Sequence, residues 1–171
     1  MTVVDVTYVF RPLDAWPGVP TQNRRASRFD VAYSRMWDDL SREIRHLGTA
    51  GAIILADCEP SEIRNDGRLR ANAKLRGPGV VLVLKESMHG PLKYPCDTFT
   101  DWAANLRAIG LALEALRTVD RYGVTRRGEQ YRGWSALPPA HACGPVEFAT
   151  AEDAARFLLT TAGDATHSGN V

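Results

Sequence analysis

An arginine-rich segment with interleaved aromatic residues is the part of this sequence best suited to contact a ligand or a partner. From residue 121 it reads RYGVTRRGEQYRGW. Arginine binds phosphate and carboxylate groups through a planar fork of donors, and aromatic rings offer stacking surfaces. Arginine, tyrosine and tryptophan also dominate protein interfaces. We therefore predict a partner-binding site, here called the arginine loop, formed by Arg121, Arg126, Arg127, Tyr131, Arg132 and Trp134. The alternative is that the aromatic residues pack on the core and the arginines are only solvated.

A second basic cluster lies between Pro60 and Gly79 and is interrupted by the turn-forming sequence Asn65-Asp66-Gly67. Its members are Arg64, Arg68, Arg70, Lys74 and Arg76. This cluster is a secondary binding surface or, alternatively, an exposed surface loop.

Metal sites are weakly indicated. His141 and Cys143 are two residues apart and could join Cys58 or Cys96 around zinc, but structural zinc sites usually contain two closely spaced ligand pairs. Buried thiols are the simpler interpretation. We expect no metal and no cofactor.

Catalytic patterns are equally sparse. A thiol could meet His89 or His141 as a nucleophile–base pair, and Asp57, Glu59 and Asp97 could hold the metal of a nuclease if they converge. The phosphate-binding pattern GxxxxGK[ST] is missing from the sequence. We therefore expect no catalytic residue and no enzymatic activity.

Composition points to one ordinary globular protein. The 171 residues carry a net charge of +1, so a nucleic-acid contact would have to be local or indirect. The three cysteines show no paired spacing, which predicts a reducing, cytoplasmic compartment. No apolar run approaches the length of a membrane span, so we expect no membrane contact.

Two amphipathic helices must position these residues. The segment from Thr100 to Gly123 repeats apolar residues at steps of three and four, with Thr100 as the expected N-cap. Most of its circumference is apolar, so we expect it to be covered on more than one side. The segment 29–48 has the same periodicity in Tyr33, Trp37 and the apolar residues that follow.

Strand-like segments occupy residues 3–10, 52–56, 80–86 and 92–96, the last two joined as a hairpin. Residues 151–163 predict a short C-terminal helix, followed by a flexible tail at 164–171. The sequence thus predicts a single α+β domain, residues 1–163. A small, mainly antiparallel sheet of three or four strands packs on two main helices.

The chain also resembles a known group of proteins. The stretches FRPLDAWPG, FDVAYSRMWDDLSREIRHLG and HGPLKYPCDTFTDWAANLRAIGLALEALRTVDRYGVTRRGEQYRGWSALPP are similar to the N-terminal region of actinobacterial phage and prophage J-domain (DnaJ-like) proteins. The resemblance covers residues 9–139 and implies a phage or prophage setting. The His-Pro-Asp tripeptide of J domains does not occur in this sequence, so the chaperone function is not implied.

Together these observations predict a non-enzymatic accessory protein of a phage or prophage that binds a partner protein or a protein–DNA complex. The most specific hypothesis is a recombination directionality factor-like modulator of a serine integrase, a site-specific recombinase. A chaperone-type adaptor that has lost its J domain and a small metal-dependent nuclease are the alternatives.

The role predicted for the arginine loop can be tested by replacing Arg126 and Arg127 together with alanine. If both side chains contact a partner, the double variant should keep a nearly unchanged melting temperature, because exposed substitutions cost within about 0.5 kcal/mol, and should bind the partner more weakly. A large fall in melting temperature would instead mean that these arginines are structural.

Overall fold

The computed structural model describes residues 5–29, 32–123 and 128–135. These residues form four strands, two long helices and two short 3-10 turns, all within one compact unit, Met1–Ala136. In chain order the elements are β1 (Thr7–Pro12), α1 (Tyr33–His46), β2 (Gly51–Cys58), the turn Pro60–Glu62, β3 (Leu75–Leu84), β4 (Leu92–Cys96), α2 (Trp102–Arg121) and the turn Glu129–Trp134. The predicted α+β class is confirmed, and the predicted C-terminal helix lies outside the described residues.

The four strands form one mixed sheet in the order β1-β2-β3-β4. β2–β3 and β3–β4 are antiparallel, as predicted, whereas β1 pairs in parallel with β2 because α1 carries the chain back to the same end of the sheet. One cross-strand row consists of Phe10, Ile54, Leu82 and Tyr94. All four residues are buried, so this row lies at the centre of the core.

Both helices pack on the same face of the sheet. α1 buries Met36, Leu40 and Ile44, and α2 buries Leu106 and Leu113 among others. The expectation that α2 is covered on more than one side is confirmed, because this helix contacts β3 and β4, α1 and the Glu129–Trp134 turn. Ala112 and Ala115 on its outer face are exposed, and their small side chains leave little apolar surface in water. Neither described helix has the length and apolarity that crossing a membrane requires.

The ends of the helices follow local chemistry. The N-cap of α2 is Asp101, one residue later than predicted, because its carboxylate accepts a hydrogen bond from the Ala104 N–H at 3.1 Å. Gly123 and Gly48 follow the two helices with φ angles of +71° and +78°, which confirms both predicted stops.

Asn105 ties the start of α2 to the sheet from a fully buried position. Its amide donates to the carbonyl oxygens of Pro78 and Phe99 at 2.8 and 3.0 Å, and its Oδ1 accepts from the Phe99 N–H at 2.9 Å and from the Cys96 thiol at 3.4 Å. A buried amide with all its hydrogen bonds made fixes the geometry of the β4–α2 connection.

Asp97 holds the long segment between β1 and α1 against β4. Its carboxylate accepts hydrogen bonds from the backbone N–H and hydroxyl of Thr21 at 2.8 and 2.6 Å and from the Arg24 guanidinium at 3.2 Å. Burial opposes ionisation of Asp97, but these hydrogen bonds outweigh it and keep the pKa of the carboxyl below its usual range.

A lowered pKa in the folded state links the stability of the protein to acidic pH. The contribution of Asp97 is present above the pKa of an unfolded aspartate, about 4, and is lost as pH falls through the lower folded value. Asp97→Asn should therefore unfold more easily in urea at pH 7 and lose less of its remaining stability between pH 4 and pH 2. The control is Asp120→Asn at the exposed end of α2. An unchanged acid dependence in Asp97→Asn would contradict this assignment.

Candidate functional site

Two ring contacts anchor the second half of the arginine loop to the core. Tyr131 is 3% exposed and stacks on His89 with ring centroids 4.2 Å apart and planes 18° apart. Trp134 packs on Tyr94 with centroids 5.2 Å apart. Burial raises the pKa of Tyr131, so its hydroxyl remains protonated. These two aromatic residues therefore have the structural role that the sequence left as an alternative.

The charged members of the arginine loop are oriented differently. Arg121 and Arg132 are exposed, and the Arg121 guanidinium lies 5.3 Å from the centre of the neighbouring Tyr122 ring. Arg126 and Arg127 lie outside the described residues, so their part of the predicted site stays a prediction. Arg121 thus presents its charge at the end of α2, and Arg132 presents its charge on the turn that the Tyr131 and Trp134 rings hold in place.

Gly128 is required where the loop meets His89. Its φ angle is +69°, and a Cβ added there would lie only 2.5 Å from Nδ1 of His89. Only glycine combines this backbone conformation with such a close approach.

The second basic cluster is partly neutralised by neighbours. Arg64 pairs with Asp66 at 3.0 Å, and Arg76 pairs with both Asp57 and Glu59 at 2.8 and 2.9 Å. The Arg70 Nε–H donates to the Ser61 carbonyl oxygen at 2.7 Å. Arg68 and Lys74 are the remaining members, and both are exposed.

The residues suggested for metal binding do not converge within the described part of the chain. No group of three or more histidine, cysteine, aspartate or glutamate side chains there could hold an ion. Asp57 and Glu59 are bound by Arg76, whereas Asp97 binds Thr21 and Arg24.

The cysteines of the described chain are free thiols. Cys58 is buried and its pKa is raised by burial, and Cys96 is half-buried. The other two residues suggested for a zinc site, His141 and Cys143, lie outside the described residues.

A groove that the sequence analysis did not predict lies between β1 and α1. It has a volume of about 470 Å³ and an aromatic wall made by Tyr8, Phe10, Tyr33 and Trp37. The Trp37 ring is at its centre, 4.7, 6.4 and 5.8 Å from the rings of Tyr8, Phe10 and Tyr33. We call this feature the aromatic groove.

The aromatic groove combines a neutral wall with charges of both signs. Tyr8 exchanges a 2.8 Å hydrogen bond with Ser41, and burial raises its pKa to about 12, so its hydroxyl is neutral at physiological pH. Asp5, Asp38 and Arg68 line the groove as well, and within the described chain none of the three forms an ion pair.

The spacing of the four rings contains a sequence signal for the groove. Tyr8 and Phe10 alternate along a strand, and Tyr33 and Trp37 are four residues apart on a helix. Both patterns also describe core faces. Tyr33, predicted to lie on the apolar face of α1, is 56% exposed. Only the packing of β1 beside α1 distinguishes a groove from a core.

The chain matches no protein-family model, and no curated protein or solved structure matches it.

The contact between Gly128 and His89 predicts a specific coupling. Gly128→Ala should destabilise the protein by more than the cost of about 1–2 kcal/mol for a left-handed non-glycine residue, because the new Cβ also meets the imidazole. In the double variant Gly128→Ala/His89→Ala, the loss measured by urea unfolding should be smaller than the sum of the two single losses. Gly133→Ala, where an added Cβ meets nothing within 4 Å, is the control. Additive losses would contradict this contact.

Proposed function

We propose that this chain is a non-enzymatic binding protein and that its target is a partner protein. The observation that supports this proposal is the aromatic groove. Its Tyr33 ring is 56% exposed, and Trp37 beside it is half-buried. Accessible large aromatic side chains are enriched at the centres of protein interfaces, and charged groups are typical of the surrounding rim.

The charges of the aromatic groove favour a protein over a nucleic acid at this surface. Two carboxylates, of Asp5 and Asp38, accompany the single guanidinium of Arg68. A phosphate backbone would be repelled by the carboxylates, whereas a protein segment can place charges of either sign opposite them.

The arginine loop is the second surface of the proposal. Arg121 is exposed at the end of α2, and Arg132 is exposed on the turn that Tyr131 and Trp134 anchor. Exposed guanidinium groups suit acidic groups of a protein or the phosphates of DNA bound by that protein. A target that is itself a protein–DNA complex would use both surfaces.

The partner that we propose to test first is a serine integrase bound to its DNA. This choice comes from the resemblance to actinobacterial phage and prophage proteins. A recombination directionality factor binds such an integrase on DNA and switches it from integration to excision. It needs an exposed surface of arginine and aromatic residues and a tolerance of nearby DNA, both of which agree with the two surfaces described above.

A gel-shift assay tests the identity of the partner. The purified chain is added to the serine integrase of an actinobacterial phage on attachment-site DNA, and separately to the DNA alone. We expect the chain to produce a band that is slower than the band of the integrase–DNA complex alone, and to leave the band of the free DNA unchanged. A shift of the DNA alone would favour direct nucleic-acid binding. If the chain changes neither the band of the integrase–DNA complex nor that of the free DNA, the integrase is rejected as the partner. Capture of proteins from a lysogenic host by the chain, repeated with Tyr33→Ala, would then test protein binding itself.

The aromatic groove predicts the effect of Tyr33→Ala on binding. Removal of an exposed ring should change the free energy of unfolding by about 1 kcal/mol or less. It should weaken binding of the captured partner by about tenfold or more. The control is Met88→Ala, which removes a side chain that is 65% exposed and does not line the groove. Binding that falls equally in both variants, or in neither, would contradict a contact at the groove.

A further inference from the structure

We infer that the aromatic groove binds an extended segment of the partner, which adds to the outer edge of β1 as a short antiparallel strand beside Tyr8. The inference rests on the proposed function and specifies the kind of partner. Addition of a strand to a sheet edge combines backbone hydrogen bonds with pockets for alternate side chains. The described residues supply both features in one place.

The backbone of β1 has one paired edge and one outer edge. The Thr7 N–H donates to the carbonyl oxygen of Ala50, the residue before β2, at 2.8 Å, and the Leu13 N–H donates to the carbonyl oxygen of Ala56 in β2 at 2.9 Å. Because hydrogen bonding alternates along a parallel strand, the odd-numbered residues of β1 face β2. The N–H and C=O of Tyr8 and Phe10 consequently point to the outer edge.

A hairpin closes half of that outer edge. The Phe10 N–H donates to the Gly67 carbonyl oxygen at 2.6 Å, and Ile63 bridges Leu69 at the base of the hairpin. Gly67 has a φ angle of +78°, and a Cβ there would lie 3.0 Å from Val9, so glycine is needed for this approach. Next along β1, Pro12 has no N–H to offer.

The edge remains open at Tyr8. Within the described chain, neither the N–H nor the C=O of Tyr8 has a partner in another loop or turn. In an antiparallel pair, two directly opposite residues can exchange both backbone hydrogen bonds and place their side chains on the same face. A residue opposite Tyr8 would therefore direct its side chain towards the aromatic groove, where a large apolar group meets Trp37.

Charge complementarity defines the rest of the segment. Asp5 lies at the Val6 end of the groove, whereas Arg68 belongs to the hairpin that closes the edge at Phe10. Side chains two residues apart on a strand share a face. In an antiparallel segment, the residue two positions before the apolar one reaches the hairpin that already occupies the edge at Phe10, so it ends the pairing there and, if acidic, meets Arg68 through its side chain alone. The residue two positions after the apolar one lies opposite Val6 and, if basic, meets Asp5.

The probe for this inference is the acetylated, amidated peptide Glu-Thr-Leu-Thr-Lys with a fluorescent label. Its binding to the full chain is measured by anisotropy and compared with two control peptides. One contains N-methyl-leucine, which lacks the N–H that would donate a hydrogen bond to the backbone C=O of Tyr8. The other has the reversed order Lys-Thr-Leu-Thr-Glu. We expect both controls to bind at least about tenfold more weakly, the change that corresponds to 1.4 kcal/mol.

A charge exchange tests the predicted register. Arg68→Glu should weaken binding of the Glu-Thr-Leu-Thr-Lys peptide by about tenfold or more. The peptide Lys-Thr-Leu-Thr-Lys, whose first residue is basic, should bind this variant well again. Lys74→Glu, an exposed change that does not line the groove, should leave the first peptide unaffected.

The outcomes separate this inference from the proposed function. Equal binding of the N-methylated peptide, or no peptide binding at all, would overturn strand addition. If capture of the partner still depends on Tyr33 in that case, the proposed function stands and only the mode of binding is wrong. If Tyr33→Ala leaves capture unchanged and no peptide binds, both proposals are wrong.

Discussion

A buried ion pair between the two helices is the interaction on which the rest of the fold depends. Glu43 of α1 is 2% exposed and accepts two hydrogen bonds from Arg117 of α2, at 2.6 and 3.1 Å. One helical turn earlier, Asp39 binds Arg107 of α2. To separate such a pair would leave a buried charge without compensation, at a cost of about 3–5 kcal/mol. The two helices consequently hold one register over the sheet, which apolar packing alone specifies less strictly.

This fixed register determines what the two proposed surfaces can be. Since α1 is held in place by α2, its Tyr33 and Trp37 rings lie in a set position beside Tyr8 and Phe10 of β1, and the space between strand and helix becomes a groove with firm walls. The Glu129–Trp134 turn of the arginine loop is held by different contacts, through Tyr131 and its stack on His89. A partner would meet preorganised side chains at both places, so this protein would lose little conformational freedom when it binds.

Periodicity in the sequence was sufficient for the helices, the strands and the α+β class, because local apolar patterns dictate which elements form. It was insufficient for the placement of particular side chains. Steps of four and three residues put Tyr33 and Leu40 on one predicted face, yet Leu40 is 1% exposed and Tyr33 is 56% exposed. Leu40 packs beside Gly110 in the middle of α2, whereas Tyr33 contacts Trp102 at the start of that helix. Tyr131 was predicted to contact a partner from its residue type and its arginine neighbours, and the His89 ring on which it packs is remote in sequence. The parallel pairing of β1 likewise depends on the path of the chain across the sheet and has no local signal.

The strand order implies a sequence of events in folding. β2, β3 and β4 are successive antiparallel neighbours, so their contacts close short loops, whereas β1 must wait for α1 to cross the sheet before Thr7 can meet Gly51. Contacts between residues distant along the chain close late, because the entropy of a long loop must be overcome first. We therefore expect β1 to be the last strand to dock and, by the same reasoning, the first to open when the native protein fluctuates. The groove exists only while β1 is docked, so a molecule held there would slow that opening and protect β1 from proteases.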